Sequence, residues 1–225
     1  MSFVFDQRRH NSPFVEMVWR TQSAEAGFFT SVAVSHWEMV FWKQAGRVNV
    51  GLRGPETKAT TASIPEDAEF LGIQFKLGSF LRAFPPSVLV DSGQALPDAS
   101  GRSFWLEGSA WEIPDFDHAD VFVDRLVRQG LLVREPLVVD ALAGELGDLS
   151  LRSTQRRFLR ATGLSYTAVR QIERARRAAA LLESGLPIAD VVYQSGYADQ
   201  PHLTRLLKRL LGRTPAQIAQ LRSPL

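Results

Sequence analysis

The 225 residues contain no cysteine, which removes disulfides, thiolate metal sites and cysteine nucleophiles by inventory. A cysteine-free chain fits a reducing compartment, and the cytoplasm is the expected location. No apolar run approaches the roughly 20 uninterrupted residues that a membrane span needs, and the start, "MSFVFDQRRH", has no apolar core behind a basic end. Neither a membrane segment nor an export signal is therefore expected. Histidine is also scarce, with His10, His36, His118 and His202 alone, and "SHWEM" offers only His36 and Glu38 as neighbouring ligands, His10 and His118 being distant from them in sequence. Two such ligands do not make a metal centre, so neither a metal nor another cofactor is expected. On a strand, alternation would put His36 and Glu38 on one polar face.

Acidic residues and tryptophan run short in the same place. From Leu149 onward there are 13 Lys and Arg against 4 Asp and Glu, a net charge of +9, which leaves −7 on the first 148 residues. A solvated basic face is one reading of that tail, and a surface for an anionic partner is the other. All five tryptophans, Trp19, Trp37, Trp42, Trp105 and Trp111, fall in the first half. There "FFTSVAVSHWEMVFWK", "RVNVGLRG" and "EFLGIQFKLG" are rich in β-branched and aromatic residues and bounded by Gly, Pro and Ser, the pattern of antiparallel strands. The expected fold class is α+β, with an antiparallel β domain over residues 1–115 and an all-α region over residues 116–225.

The helical period begins near Phe116. "DFDHADVFVDRLVRQG" puts Ala119, Phe122, Val123, Leu126 and Val127 on one face, with Gly130 as the stop. "EPLVVDALAGELG" has Pro136 where a first turn tolerates it and Gly147 where a helix can end. After the turn "GDLS", Ser150 can cap a helix whose inner face is Leu151, Thr154, Phe158 and Ala161. A long helix follows in "SYTAVRQIERARRAAALLESG", then a short one in "IADVVYQS", a turn at Gly196 and a last helix capped by Asp199. On that last helix Leu203, Leu206, Leu207 and Leu210 form one buried stripe. Its other face carries Gln200, His202, Thr204 and Arg205 in the first turns, where a helix entering the major groove meets base edges, while Lys208 and Arg209 suit phosphates.

The stretch "ERARRAAALLESGLPIADVVYQSGYADQPHLTRLLKRLLGRTP" resembles the signature of AraC-type transcription regulators. "LSLRSTQRRFLRATGLS" is similar to the first of the two helix-turn-helix units such proteins carry, here about 136–162 and 187–212. The likeness extends over roughly residues 117–222. Val192 stands where the family has a small residue, and Leu207 where it has a phenylalanine; both stay apolar, so they bear on packing detail alone. The resemblance implies base reading at Arg152, Gln155 and Arg156 in the first unit, with Ser153 and Arg160 nearer the backbone. In the second unit it implies reading at Gln200, Pro201, His202 and Arg205; Pro201 lacks a side-chain donor, so its neighbours must read. Arg174, Arg176 and Arg177 on the connecting helix are open to two readings, phosphate contact or a solvated face.

The implied function is sequence-specific regulation of transcription, with double-stranded DNA as partner. RNA polymerase, a small-molecule effector and a second copy of the chain are further candidate partners. In this family the N-terminal position commonly holds an effector-binding or dimerising module, often a cupin-like β-barrel, and the strand-rich half is similar to that. An aromatic pocket there would draw on His36, Trp37, Glu38, Trp42, Trp105 and Trp111, although tryptophans also simply fill cores. The alternative is a regulator without a ligand, whose N-terminal half only dimerises or binds protein. No enzymatic activity is expected, because the alkyl-transfer and amidase-like modules known beside such a region need cysteine. Residues from about 116 onward are expected to fold and bind DNA alone, since Phe122, Leu126, Phe158 and Leu203 give them their own apolar stripes.

Overall fold

The computed structural model describes residues 5–9, 11–145 and 150–221. His10, the helix stop expected at Gly147 and most of the "GDLS" turn lie outside them. The described strands are, in chain order, β1 (Phe5–Arg9), β2 (Val15–Ser23), β3 (Gly27–Ser31), β4 (Glu38–Gln44), β5 (Arg47–Arg53), β6 (Thr60–Ile64) and β7 (Ala68–Phe75). They continue with β8 (Ser79–Leu81), β9 (Gly93–Leu96), β10 (Asp98–Ser100), β11 (Ser103–Leu106), β12 (Ser109–Glu112) and β13 (Leu132–Arg134). The helices are α1 (Ala119–Arg128), α2 (Leu137–Ala143), α3 (Leu151–Thr162), α4 (Tyr166–Glu183), α5 (Ile188–Gln194), α6 (Gln200–Leu211) and α7 (Pro215–Ala219). This is the expected α+β order, an antiparallel β region followed by helices.

The chain forms two compact units, and their limits do not coincide with the expected boundary at residue 115. The first takes the N-terminus to Phe28, His36–Pro55 and Ser63–Tyr166; the second takes Phe29–Ser35, Glu56–Ala62 and everything from Thr167.

In the first unit a six-stranded sheet runs in the order β1-β2-β7-β4-β5-β9, with every pair antiparallel. The β4–β5 hairpin turns on Ala45 and Gly46, both left-handed at φ 48° and 76°, which sets the register Gln44 opposite Arg47. Across the sheet, Trp19 lies over Gly72 so closely that a Cβ there would fall 2.0 Å from its ring. The core gathers Val18, Met39, Phe41, Leu52 and Ile73 from the sheet, then Phe104 and Trp111 from the β10-β11-β12 sheet.

Helix α1 buries the face the period predicts, Ala119, Phe122, Val123 and Leu126, and it does so in that same core. The Phe122 ring lies 6.0 Å from Phe41, 6.2 Å from Phe104 and 5.8 Å from Trp111. The stripe expected to serve the helical region therefore serves the β core. Periodicity reports that a face is apolar without naming what it packs on. After α1 the chain returns to β structure, with β13 antiparallel to β8.

The second unit holds α4 beyond its first residue, and α5, α6 and α7, with buried faces that include Ile172 and Leu182, Val191, Leu203 and Leu207, and Ile218. The two segments from the first half of the chain join each other at an antiparallel bridge, Val34 with Glu56, and pair further along as β3 with β6.

Candidate nucleic-acid interface

Helices α2 and α3 form the first helix-turn-helix unit. Glu135 organises it from just before α2: its carboxylate accepts from the Leu137 amide at 3.4 Å and from the Arg157 guanidinium at 2.6 and 3.0 Å. Those bonds to Glu135 raise the Arg157 pKa above its ordinary value. Helix α2 ends at Gly144, in the left-handed region at φ 84°. Ser150 caps α3 as expected, accepting from the Ser153 amide at 3.3 Å while its hydroxyl donates to that of Ser153 at 3.1 Å.

Thr154, Phe158 and Ala161 are buried as predicted, whereas Leu151 is 69% exposed. A helix that crosses its partner at an angle buries its middle and leaves its first turn outside the contact. Thr162 is buried at the other end of α3, its hydroxyl donating to Phe158 O at 2.8 Å. Opposite the stripe, Arg152, Gln155, Arg156 and Arg160 are exposed on one face, and Ser153 is half-buried beside them.

Helices α5 and α6 form the second unit. Asp199 accepts from the His202 amide at 2.6 Å, satisfying a free donor at the start of α6. Leu203, Leu207 and Leu210 are buried, joined by Leu211, while Leu206 is only half-buried at the edge of the stripe. Gln200, Pro201, Arg205, Lys208 and Arg209 are exposed; His202 and Thr204 are half-buried. The His202 ring meets the Tyr197 ring edge-on at 5.3 Å, and the Arg174 guanidinium lies over Tyr197 at 4.4 Å. Burial pushes the Tyr197 hydroxyl above its usual pKa, opposed by the charge of Arg174. Of the three arginines open to two readings, Arg174 thus has a structural partner, and Arg176 and Arg177 are exposed. The capping box of Thr214 and Gln217 that starts α7 lies in the "GRTP" segment and the residues after it.

The aromatic pocket expected in the first half does not assemble from the six residues named for it. Trp37 stacks on Phe75 at 4.0 Å and donates to Ser79 O at 2.5 Å, deep in the core. Trp111 is fully buried, with the Arg125 guanidinium over its ring at 4.6 Å. Trp105 is 45% exposed on β11, and Glu38 accepts from Trp19 Nε1 at 3.2 Å. His36 is half-buried ahead of β4. Of the six, only Trp42 lines a cavity of about 580 Å³ among the described residues, with Arg20, Phe41, Lys43, Glu69 and Phe116 among its walls. Arg20 is held there by Asp6 at 2.7 Å and lies 4.4 Å over the Phe116 ring, and Arg8 donates to Phe116 O at 2.8 Å. The one sequence signal for this cavity is strand alternation: the register places Arg20 opposite Leu71 and Leu71 opposite Phe41, on one face of the sheet. Among the described residues no three histidines or carboxylates gather as metal ligands, and no helix is long and apolar enough to cross a membrane.

Residues 142–220 match the model of a helix-turn-helix domain. The HTH-type transcriptional regulator RipA of Corynebacterium glutamicum is 38% identical over 72 residues, which cover 32% of this chain and 22% of that protein. The chain thus aligns with about a fifth of the length of that relative. Among solved structures, ToxT of Vibrio cholerae overlaps 98% of this chain and 99% of its own at 10% identity and a TM-score of 0.41. ToxT bound to (E)-4-(8-methylnaphthalen-1-yl)but-3-enoic acid overlaps 96% and 98% at 9% identity and a TM-score of 0.43. Neither overlap is close enough to assign a function. The match over 142–220 shows a helix-turn-helix domain in this part of the chain, and the two units there each have a capped second helix.

Proposed function

We propose that the chain is a sequence-specific DNA-binding regulator of transcription that reads two successive major-groove segments, one with α3 and one with α6. The observation that carries this reading is the same on both helices: a side-chain cap at the start, a buried apolar stripe behind, and exposed guanidinium and amide groups in front. Arg152, Gln155 and Arg156 on α3, and Gln200, His202 and Arg205 on α6, are the proposed base readers. Guanidinium groups suit guanine edges and amides suit adenine. Thr204 joins the base readers on α6, and Ser153, Arg160, Lys208 and Arg209 are assigned to the sugar-phosphate backbone, which fixes register without reading sequence. Selection of bound duplexes from a randomised library tests the proposal. It should return two short determinants with centres about 10 base pairs apart, one helical turn; enrichment of no sequence overturns it.

The first half of the chain is proposed to sense a small molecule. The supporting observation is the 580 Å³ cavity, where Lys43 and Glu69 lie opposite each other on β4 and β7 and, among the described residues, neither side chain has a hydrogen-bond or ion-pair partner. A ligand bound to the native state raises the melting temperature by mass action. A metabolite screen read by thermal shift should find compounds whose effect is lost in Lys43→Ala. If none shifts the melting temperature, the reading without a ligand, with a purely dimerising or protein-binding first half, is favoured.

A further inference from the structure

The last four carbonyls of any helix have no partner within it. In α6 the Lys208 carbonyl is taken by the Gly212 amide at 3.1 Å, from the left-handed residue that ends the helix. The next two are taken from far away in sequence: Ala59 N donates to Arg209 O at 2.9 Å and Ala33 N donates to Leu210 O at 2.7 Å. These donors lie on the two N-terminal segments of the second unit, which form a ribbon. Val34 and Glu56 exchange two backbone hydrogen bonds of 3.0 Å, and Ser31 donates to the Glu56 carboxylate at 2.7 Å. The ribbon also holds α4, because the Ser35 hydroxyl donates to Glu173 at 2.6 Å. Space is tight where ribbon and helix meet. A Cβ on Gly212 would lie 2.9 Å from the Thr30 methyl and 3.3 Å from Ala59 Cβ, so a glycine is needed there for the approach as well as for its φ of 71°.

We infer that this ribbon, residues 29–35 and 56–62, is a positioning element of the second DNA-reading unit: it caps the C-terminal end of α6, ties it to α4, and so fixes the angle at which Gln200, His202 and Arg205 are presented. The inference rests on the DNA-binding reading above. The segments that were expected to serve only the sensory half would then carry part of the recognition.

The test uses the full chain and the duplexes it enriches from a randomised library. Ala59→Pro deletes the amide donated to Arg209 O, and Ala59→Gly keeps it as the control. The proline variant should bind about tenfold more weakly, as expected for a lost helix cap. It should also lose base preference in the half-site read by α6 while keeping that read by α3, a selective change that general destabilisation would not produce. The glycine variant should match the unmodified chain.

A second variant, Ser35→Ala, deletes the hydroxyl that ties the ribbon to Glu173 of α4 and leaves the ribbon backbone intact. It should bind more weakly and lose base preference in the half-site read by α6 while keeping that read by α3, and this variant decides the matter if the proline variant fails to fold. Unchanged affinity and base preference in a folded Ala59→Pro would overturn the inference. So would unchanged affinity and base preference in a folded Ser35→Ala. If the unmodified chain enriches nothing, the DNA-binding reading fails and this inference falls with it.

Discussion

Arg156 and Arg157 are adjacent in sequence, share the same charge and have different work. Arg157 is committed to Glu135, whereas Arg156 is exposed on the front of α3. On the selected site, Arg156→Ala and Arg205→Ala should each cost about 1–3 kcal/mol and relax preference at the bases they face. Quantitative binding to single-base variants of the site checks this, and unchanged discrimination in both would remove α3 and α6 as the readers. Arg157→Ala should leave base preference intact and show itself as a small loss of thermal stability, since partly exposed ion pairs contribute little. At this scale the sequence was informative wherever the cause is local. The Ser150 and Asp199 caps need only a side chain three residues from an amide, and both form as read. Arg157 and Arg174 could not be sorted from their neighbours by sequence, because Glu135 lies 22 residues from Arg157 and Tyr197 lies beyond another helix from Arg174.

Among the elements, the β4–β5 hairpin carries an improvable position. Ala45 sits at φ 48°, a conformation that asparagine and glycine tolerate better than alanine. Ala45→Asn should raise stability by several tenths of a kcal/mol to about 1 kcal/mol, read as a higher denaturation midpoint; a lower midpoint would show that the turn is held by something other than its own dihedrals. Gly72→Ala should do the reverse at a cost of about 1–3 kcal/mol or more, because the new methyl must displace the Trp19 ring from the outer face of the sheet. Most helices and the strands β5 and β7 were legible because their apolar periods are complete within one stretch. What each face packs on was not. The stripe of α1 was plain in sequence, yet its partners Phe41 and Phe104 are strand residues, the first of them some 80 positions away. Leu151 satisfied the period of α3 and still remained outside the buried face. "FFTSVAVSHWEMVFWK" read as one strand-rich stretch, but it divides at residues 29–35, which leave the first unit for the second.

For the molecule as a whole, the charge asymmetry sets the ionic behaviour. Each Lys or Arg that reaches a phosphate should add about 0.9 to the slope of log affinity against log salt. Affinity should therefore fall steeply between low and physiological salt, and a flat titration would be incompatible with phosphate contacts from the +9 tail. A second expectation concerns cutting the chain. A fragment of residues 116–221 would expose Phe122, Val123 and Leu126, each worth about 1.5–3 kcal/mol when buried, and would leave Arg209 O and Leu210 O without their donors. Calorimetry of that fragment should show a broad, weak transition well below that of the full chain. A sharp transition at the same temperature would mean that the helical region folds on its own after all.

The capped end of α6 also bears on the order in which the chain can take shape during synthesis. Ala59 leaves the ribosome 150 residues before Arg209, the residue whose carbonyl it satisfies. At roughly 5–20 residues per second, that is an interval of about eight to thirty seconds in which both ribbon segments wait without the helix they join. The second unit cannot close until α6 has been synthesised, and the ribbon is a place where a premature partner, a chaperone or a second nascent chain, could bind first.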